Sequence, residues 1–257
     1  MDTRDVDTRV AFQRARRPEQ VAERRAAILA TARELLTRRR AADVSLRELA
    51  DEVGLAMSNV LRYFDSREAI FAQILDAEWR DWLDELAVAL PAATRGRPED
   101  GLDRPRQAAD AIATTLLARP LLCELLSGIA TILERNIPLD FTREFKRQSW
   151  AKRERLGELV RAEFPVLRRE DAWDFAGAVV FTLAGLWPYT RPTDAVATVL
   201  AEAGMPPALE SIGTTLRDML VRQLAGTLAL AASDRDLLPV IPKPLRRVMW
   251  VSPGVSA

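Results

Sequence analysis

The sequence predicts an all-α fold in two unequal parts, and three observations carry that expectation. Apolar residues recur at helical rather than strand period along most of the chain. Ala, Leu, Arg and Glu dominate, and 11 Gly with 15 Pro in 257 residues are too few for a turn-rich β protein. Apolar residues at 48% and charged residues at 29% lie in the ordinary globular range, far from the composition of a disordered chain.

Residues 1–17 carry mixed charge without apolar periodicity and end in a cluster at Arg14, Arg16 and Arg17, so a flexible arm is expected there. Pro18 suits a first helical turn, and Ile28, Ala32, Leu35 and Leu36 follow as one stripe, which gives a first helix over 18–39. Ser45-Leu46-Arg47-Glu48 has the pattern of a capping box: the Ser45 hydroxyl accepts from the N–H of residue 48, and the Glu48 carboxylate reaches back to Ser45. Leu46, Leu49, Ala50 and Val53 form the apolar face of a second helix, barely two turns long, which Gly54 stops in a left-handed conformation. A third short helix, 57–64, buries Val60 and Phe64 and leaves Met57, Ser58, Asn59, Arg62 and Tyr63 outside. Asp65-Ser66 caps a long fourth helix from Arg67 to about residue 90, with Ile70, Ile74, Trp79, Trp82 and Leu86 inward and Pro91 as its stop.

A loop is expected over 92–105. Helical patterns resume over 106–118, 121–134, 139–164, 170–190, 193–203 and 207–232, punctuated by Pro120, Pro138, Pro165, Pro192, Gly204 and Pro206. From residue 234 the chain carries Pro239, Pro242, Pro244 and Pro253, which predicts an extended tail with Ile241, Met249 and Trp250 available to dock on the body.

Several function classes are disfavoured by composition. The chain has no His, the usual general base near neutral pH and the commonest metal ligand, so Ser-His-Asp and Cys-His catalysis are excluded. Neither a Gly-rich phosphate loop nor a metal motif is present, and no enzymatic activity, cofactor or metal site is expected. Cys123 stands alone, so an internal disulfide cannot form, and residues 2–7 alternate charges where a signal peptide needs an apolar run; a cytoplasmic location is expected. The uncharged stretch 175–190 is shorter than the roughly 20 residues that span a bilayer, so no membrane partner is expected.

Lys plus Arg balances Asp plus Glu at 37 each, so any argument for a nucleic-acid partner must be local. Two short helices joined by a tight turn behind a longer one form a helix-turn-helix, whose second short helix fits a major groove. Ser58, Asn59 and Tyr63 can hydrogen-bond to base edges or phosphates, and Arg62 can neutralise a phosphate. Between residues 14 and 65 eleven Arg face eight acids, and the arm's Arg14, Arg16 and Arg17 can reach a groove as homeodomain arms do. The expected division is an arm at 1–17, a helix-turn-helix DNA-binding domain at 18–66, a larger helical domain at 67–233 and a Pro-rich tail at 234–257.

Ser45-Leu46-Arg47-Glu48-Leu49-Ala50, Gly54-Leu55, Ser58-Asn59-Val60-Leu61-Arg62-Tyr63-Phe64 and Ser66-Arg67-Glu68-Ala69-Ile70 resemble the signature of TetR-family transcriptional regulators over about residues 24–75. Beyond that the resemblance is architectural. It implies a homodimer whose N-terminal domains each read half of a palindromic operator in double-stranded DNA. It implies further that the C-terminal domain dimerises and binds a small, hydrophobic or aromatic effector that releases a repressor from DNA. Residue by residue, it places Ser45 at a phosphate contact and Arg47 at a base-reading position. Met57 and Ser58 fall at base-facing positions, Asn59 and Tyr63 at further DNA contacts, and Arg67 at a phosphate-binding cation. It departs at Leu61, where members commonly carry a phosphate-binding Tyr; Arg62 beside it is placed to compensate.

For the body, the resemblance implies that helices 170–190 and 207–232 pack against their copies. Gly177, Ala178, Ala184 and Gly185 would allow close approach, and Leu216, Leu220, Leu224 and Leu228 form an apolar ridge, with an ordinary intramolecular core as the alternative. Trp79, Trp82, Phe145, Trp150, Trp173, Phe181 and Trp187 supply aromatic walls, and Trp79, Trp82, Phe145, Trp150 and Phe181 are the candidate effector-binding residues unless they fill the core. Glu124 suits either a cationic ligand or the wet face of its helix. Two other classes stay open: a helical adaptor using the helix-turn-helix for protein contacts, and an all-α enzyme without His chemistry.

Overall fold

In the computed structural model the described residues are 3–96, 100–134 and 138–233, with side chains from Glu19 onward, and helices are the regular elements among them. The expected tail with Ile241, Met249 and Trp250, and the side chains of Arg14, Arg16 and Arg17, lie outside the described residues.

Helix α1 (Thr3–Arg38) begins well before Pro18, so the backbone is helical where an arm is expected. Pro18 removes one backbone donor but its fixed φ is helical, and residues 3–17 contain neither Gly nor Pro to oppose the helix. Helix α2 (Leu46–Val53) starts at Ser45, whose hydroxyl accepts from the Glu48 N–H at 3.1 Å. The reciprocal half of the expected capping box is not made, because the Glu48 carboxylate pairs with Arg39, a charge-assisted bond stronger than one to a backbone N–H. Gly54 ends α2 at φ 72°, a region that costs residues with a Cβ roughly 1–2 kcal/mol. Helix α3 (Met57–Val60) is a single turn, continued by the Leu61 and Phe64 N–H groups bonding to the Met57 and Val60 carbonyls at 3.1 Å each. Val60 and Phe64 face inward, as the periodicity requires.

Helix α4 (Arg67–Ala93) starts at Ser66, whose hydroxyl accepts from the Ala69 N–H at 3.1 Å. Pro91 does not stop it: so near the end, its missing donor removes one bond, and the Thr94 N–H still reaches the Leu90 carbonyl at 3.2 Å. Further elements follow. They are α5 (Asp103–Leu117), α6 (Pro120–Ser127) with a π-helical turn at Ile129–Leu133, α7 (Leu139–Glu163), α8 (Arg169–Leu186) with a 3-10 turn at Trp187–Thr190, α9 (Asp194–Glu202) and α10 (Ala208–Ala232).

Helices α4, α5, α10, α8 and α7 pack each on the next and close a ring, with α6 inside against α4, α5 and α8. Leu122, Cys123, Leu125 and Leu126 of α6 are therefore buried from several sides at once. Trp82, Leu83, Leu86 and Leu90 of α4 are fully buried, each contributing roughly 1.5–3 kcal/mol relative to exposure. The Trp82 indole donates to Thr115 Oγ1 at 3.0 Å, so its polar atom is satisfied inside the core. Leu216, Leu220 and Leu224 are also fully buried within this one chain. That corrects the dimer ridge: these leucines face the ring interior, and a helix face already covered cannot meet a second copy.

Polar contacts join α1, α2 and α3 to the ring. Glu78 of α4 pairs with Arg33 of α1 and stands 3.8 Å from Arg119, whose Nε in turn donates to Glu85 at 2.8 Å. Glu124 of α6 is neither wet nor open to a ligand: one carboxylate oxygen accepts from the Ala41 N–H and the other from the Trp187 indole. Arg40 donates to the Arg191 carbonyl across the same joint.

Candidate nucleic-acid interface and interior cavity

The first turn of α2 and the outer side of α3 form one exposed face. Ser45, Arg47, Met57, Ser58, Asn59 and Arg62 all lie open on it, and Tyr63 is half-buried at its edge. Among the described residues neither Arg47 nor Arg62 has a carboxylate partner. Their neighbours differ: Arg33 pairs with Glu78, Arg38 with Glu52 and Arg39 with Glu48. Met57 and Leu61, four residues apart, are 48% and 42% exposed, an apolar pair beside the cations. Leu61, which stands where the family resemblance implies a Tyr, is thus part of an exposed apolar pair.

Two arginines hold the face in place from behind. Arg25 of α1 donates to the Tyr63 carbonyl and, at 3.0 Å, to Gln73 of α4, and its guanidinium lies 4.1 Å from the Phe64 ring centroid. It fixes the end of α3, a role its sequence position does not signal, because all three partners are distant in the chain. Arg67, half-buried, donates to the Val44 carbonyl at 2.7 Å and, through Nε and Nη2, to one carboxylate oxygen of Glu68 at 3.1 and 2.8 Å, so its charge is already paired.

A cavity of about 150 Å³ lies between α4, α6 with its π-helical turn, α7 and α8. Leu126, Ile129, Ala130, Val180, Phe181 and Ala184 form apolar walls. Trp79 and Trp150 also line it, and both indole N–H groups are buried without a hydrogen-bond partner. Of the five aromatic candidates, Trp79, Trp150 and Phe181 reach the cavity; Trp82 is enclosed in the core with Thr115, and Phe145 faces a separate crevice below Arg25 and Gln73, where it stacks on Phe141 at 6.4 Å. Trp173 and Trp187 are engaged elsewhere, under Arg153 and on Glu124.

The polar wall comes from α7, where Lys146, Ser149, Trp150 and Arg153 share one helical stripe. Lys146 pairs with Glu134. The Arg153 guanidinium lies 4.3 Å from the Trp173 ring centroid, and its Nε donates to the Trp173 carbonyl at 2.8 Å. Its carboxylate neighbour, Asp174, is 3.7 Å away and largely exposed. Burial lowers the Arg153 pKa from its usual value, and Asp174 offsets only part of that. A Cβ on Gly177 would meet the Arg153 guanidinium, so a side chain there would displace that cation from its seat, a relation that no periodic pattern signals.

Among the described residues no cluster of acids and Cys is arranged to hold a metal ion. Cys123 is buried in the ring, its thiol donates to the Leu116 carbonyl at 3.1 Å, and burial pushes its pKa up to about 12.

A family model described as bacterial regulatory proteins, tetR family, matches residues 28–74, and one described as tetracyclin repressor-like, C-terminal domain, matches residues 76–231. No curated protein matches the chain. Similar solved structures include the regulator FadR from Bacillus subtilis in complex with stearoyl-CoA, 11% identical over 77% of this chain and 98% of that one, with a TM-score of 0.46. The TetR-family regulator PfmR from Thermus thermophilus is 21% identical over 76% of this chain and 97% of that one, with a TM-score of 0.41. A transcriptional regulator from Rhodococcus sp. Rha1 is 21% identical over 80% of this chain and 96% of that one, with a TM-score of 0.45.

Proposed function

Since the chain belongs to the tetR family of bacterial regulatory proteins, we propose that it is a homodimeric repressor that reads a palindromic operator and is released by a small effector. The observation that carries this reading is the pair of outward arginines, Arg47 and Arg62, without carboxylate partners on the face made by α2 and α3.

In this reading Arg47 reads a base edge and Arg62 neutralises a phosphate, while Ser45, Ser58, Asn59 and Tyr63 supply hydrogen bonds to backbone and bases. Met57 and Leu61 contact thymine methyl groups. Arg67 acts from within, holding the Val44 carbonyl at the entrance to α2. Arg14, Arg16 and Arg17 extend the contact along the DNA. Residues 18–66 thus form the reading domain and 67–233 the effector and dimer domain.

With the Leu216 ridge occupied internally, the dimer face is assigned to the outward stripes: Ala178, Phe181 and Gly185 on α8, and Met219, Arg222, Gly226 and Leu230 on α10. No helix among the described residues is long and apolar enough to cross a membrane, and we place the regulator beside its DNA in the cytoplasm. Effector and operator oppose each other by linkage, each lowering the affinity of the other by the same factor. The route is α4, which starts at the reading head and carries Trp79 into the cavity.

The test is selection of random duplex DNA on the purified chain at physiological salt. One palindrome with half-sites about one turn, roughly 10 base pairs, apart is expected. Retention without sequence enrichment at any salt overturns the reading and favours an adaptor.

A further inference from the structure

The cavity narrows the chemistry of the effector. Its walls are of two kinds: α6, its π-helical turn and α8 are greasy, whereas α7 presents Arg153 and Trp150, joined by Trp79 from α4. Three of these lining residues carry donors without adequate acceptors. The two indole N–H groups have none, and the buried guanidinium has one carboxylate, distant and exposed, while its planar fork matches a carboxylate. A buried donor left unpaired costs free energy in the empty chain, and that cost is recovered only when an acceptor arrives.

Size limits the rest of the ligand. A cavity of about 150 Å³ holds roughly a benzene ring, and it opens beside Phe181, which is 48% exposed, so most of a long acyl chain would lie outside it. Resting on the effector-controlled reading above, we infer that the cavity takes a compact monocyclic aromatic carboxylate, its carboxylate on Arg153 and a second acceptor facing the Trp79 and Trp150 indoles. The ring lies against Ile129, Val180 and Phe181.

Calorimetry on the full chain without DNA reads the site, and fluorescence anisotropy on the selected operator reads the switch. The probes are 4-methoxybenzoate, its neutral isostere 4-methoxybenzamide, benzoate lacking the second acceptor, and palmitate. We expect 4-methoxybenzoate to bind at least tenfold more tightly than the amide, severalfold more tightly than benzoate, and more tightly than palmitate. Arg153→Gln should remove the preference for acid over amide. Because that variant also disturbs the Trp173 contact, Trp150→Phe is the second test. It keeps the ring and deletes a donor that has no partner, so the empty chain should be at least as heat-stable while 4-methoxybenzoate affinity falls severalfold.

Equal binding of acid and amide, tighter binding of palmitate, or no binding of any probe overturns the assignment. If the acid preference appears while no operator is bound, the site stands and the regulator reading falls. If the operator is bound and the acid is not preferred, the regulator reading stands and the site assignment falls.

Discussion

The Glu124 carboxylate holds the backbone N–H of Ala41 at 2.9 Å, so a side chain from the centre of the helical ring fixes the corner between α1 and α2. Its other oxygen holds the Trp187 indole at 3.1 Å, which makes the joint a three-way tie between head, inner helix and the end of α8. Glu124→Ala strands two buried donors, at about 1–3 kcal/mol each. Thermal unfolding should show the loss as a fall of about 2–4 °C per kcal/mol, and an unchanged midpoint would refute the tie.

Arg25 should matter to DNA binding without touching DNA. Arg25→Ala removes the bonds to Tyr63 and Gln73 and the stack on Phe64, so the end of α3 loses its support. Operator affinity should fall about tenfold, and Arg25→Lys, which cannot reproduce the planar fork, should recover only part of it. Anisotropy titrations check this; wild-type affinity in Arg25→Ala would leave α3 held by its apolar contacts alone.

Arg47 and Arg62 should fail in different ways. Arg47→Ala should relax base preference at one position in each half-site, by about 1–3 kcal/mol. Arg62→Ala should weaken all duplexes alike and reduce the slope of log affinity against log salt by about 0.9 per half-site. Titrations at several salt concentrations against matched and single-mismatch operators separate the two.

Cys123 gives a pH signature. Its folded pKa is raised above the ordinary 9.0 to about 12 by burial, so the folded state favours the neutral thiol more than the unfolded state does. The contribution to stability is full below pH 9 and is lost as pH rises from 9 through about 12. Denaturant midpoints should fall across that window, less steeply in Cys123→Ala, and a thiol reagent at about pH 8, just below the ordinary thiol pKa, should label the native chain only at the rate of unfolding.

Much of the head was legible in the chain because its signals are local. Ser45 and Ser66 cap helices three residues ahead, Gly54 takes the left-handed turn, and Val60 with Phe64 faces inward. The body was legible as helices but not as a packing. A stripe such as Leu216, Leu220 and Leu224 states that one face is buried, not whether the cover is the same chain or another copy. The cavity was half legible for the same reason. Trp79 and Trp82 stand on the inner side of one helix, yet only Trp79 meets empty space. Arg153 over Gly177, Arg25 under Tyr63 and Glu124 on Ala41 are matches between distant segments, and periodicity carries no information about such pairs.

Helix α4 also has the proportions of a lever. Trp79 in the cavity and Arg67 at the reading head are roughly 18 Å apart along its axis at about 1.5 Å per residue. A tilt of about 5° pivoting at Trp79 would swing the far end by about 1.5 Å, several times the roughly 0.5 Å span over which a good hydrogen bond keeps its length. In the proposed regulator an effector would therefore have no need to remodel the face made by α2 and α3. Wedging one helix by the thickness of part of a ring would be enough to carry donors off their base edges, and a twofold-related pair of such levers would move both half-site readers at once.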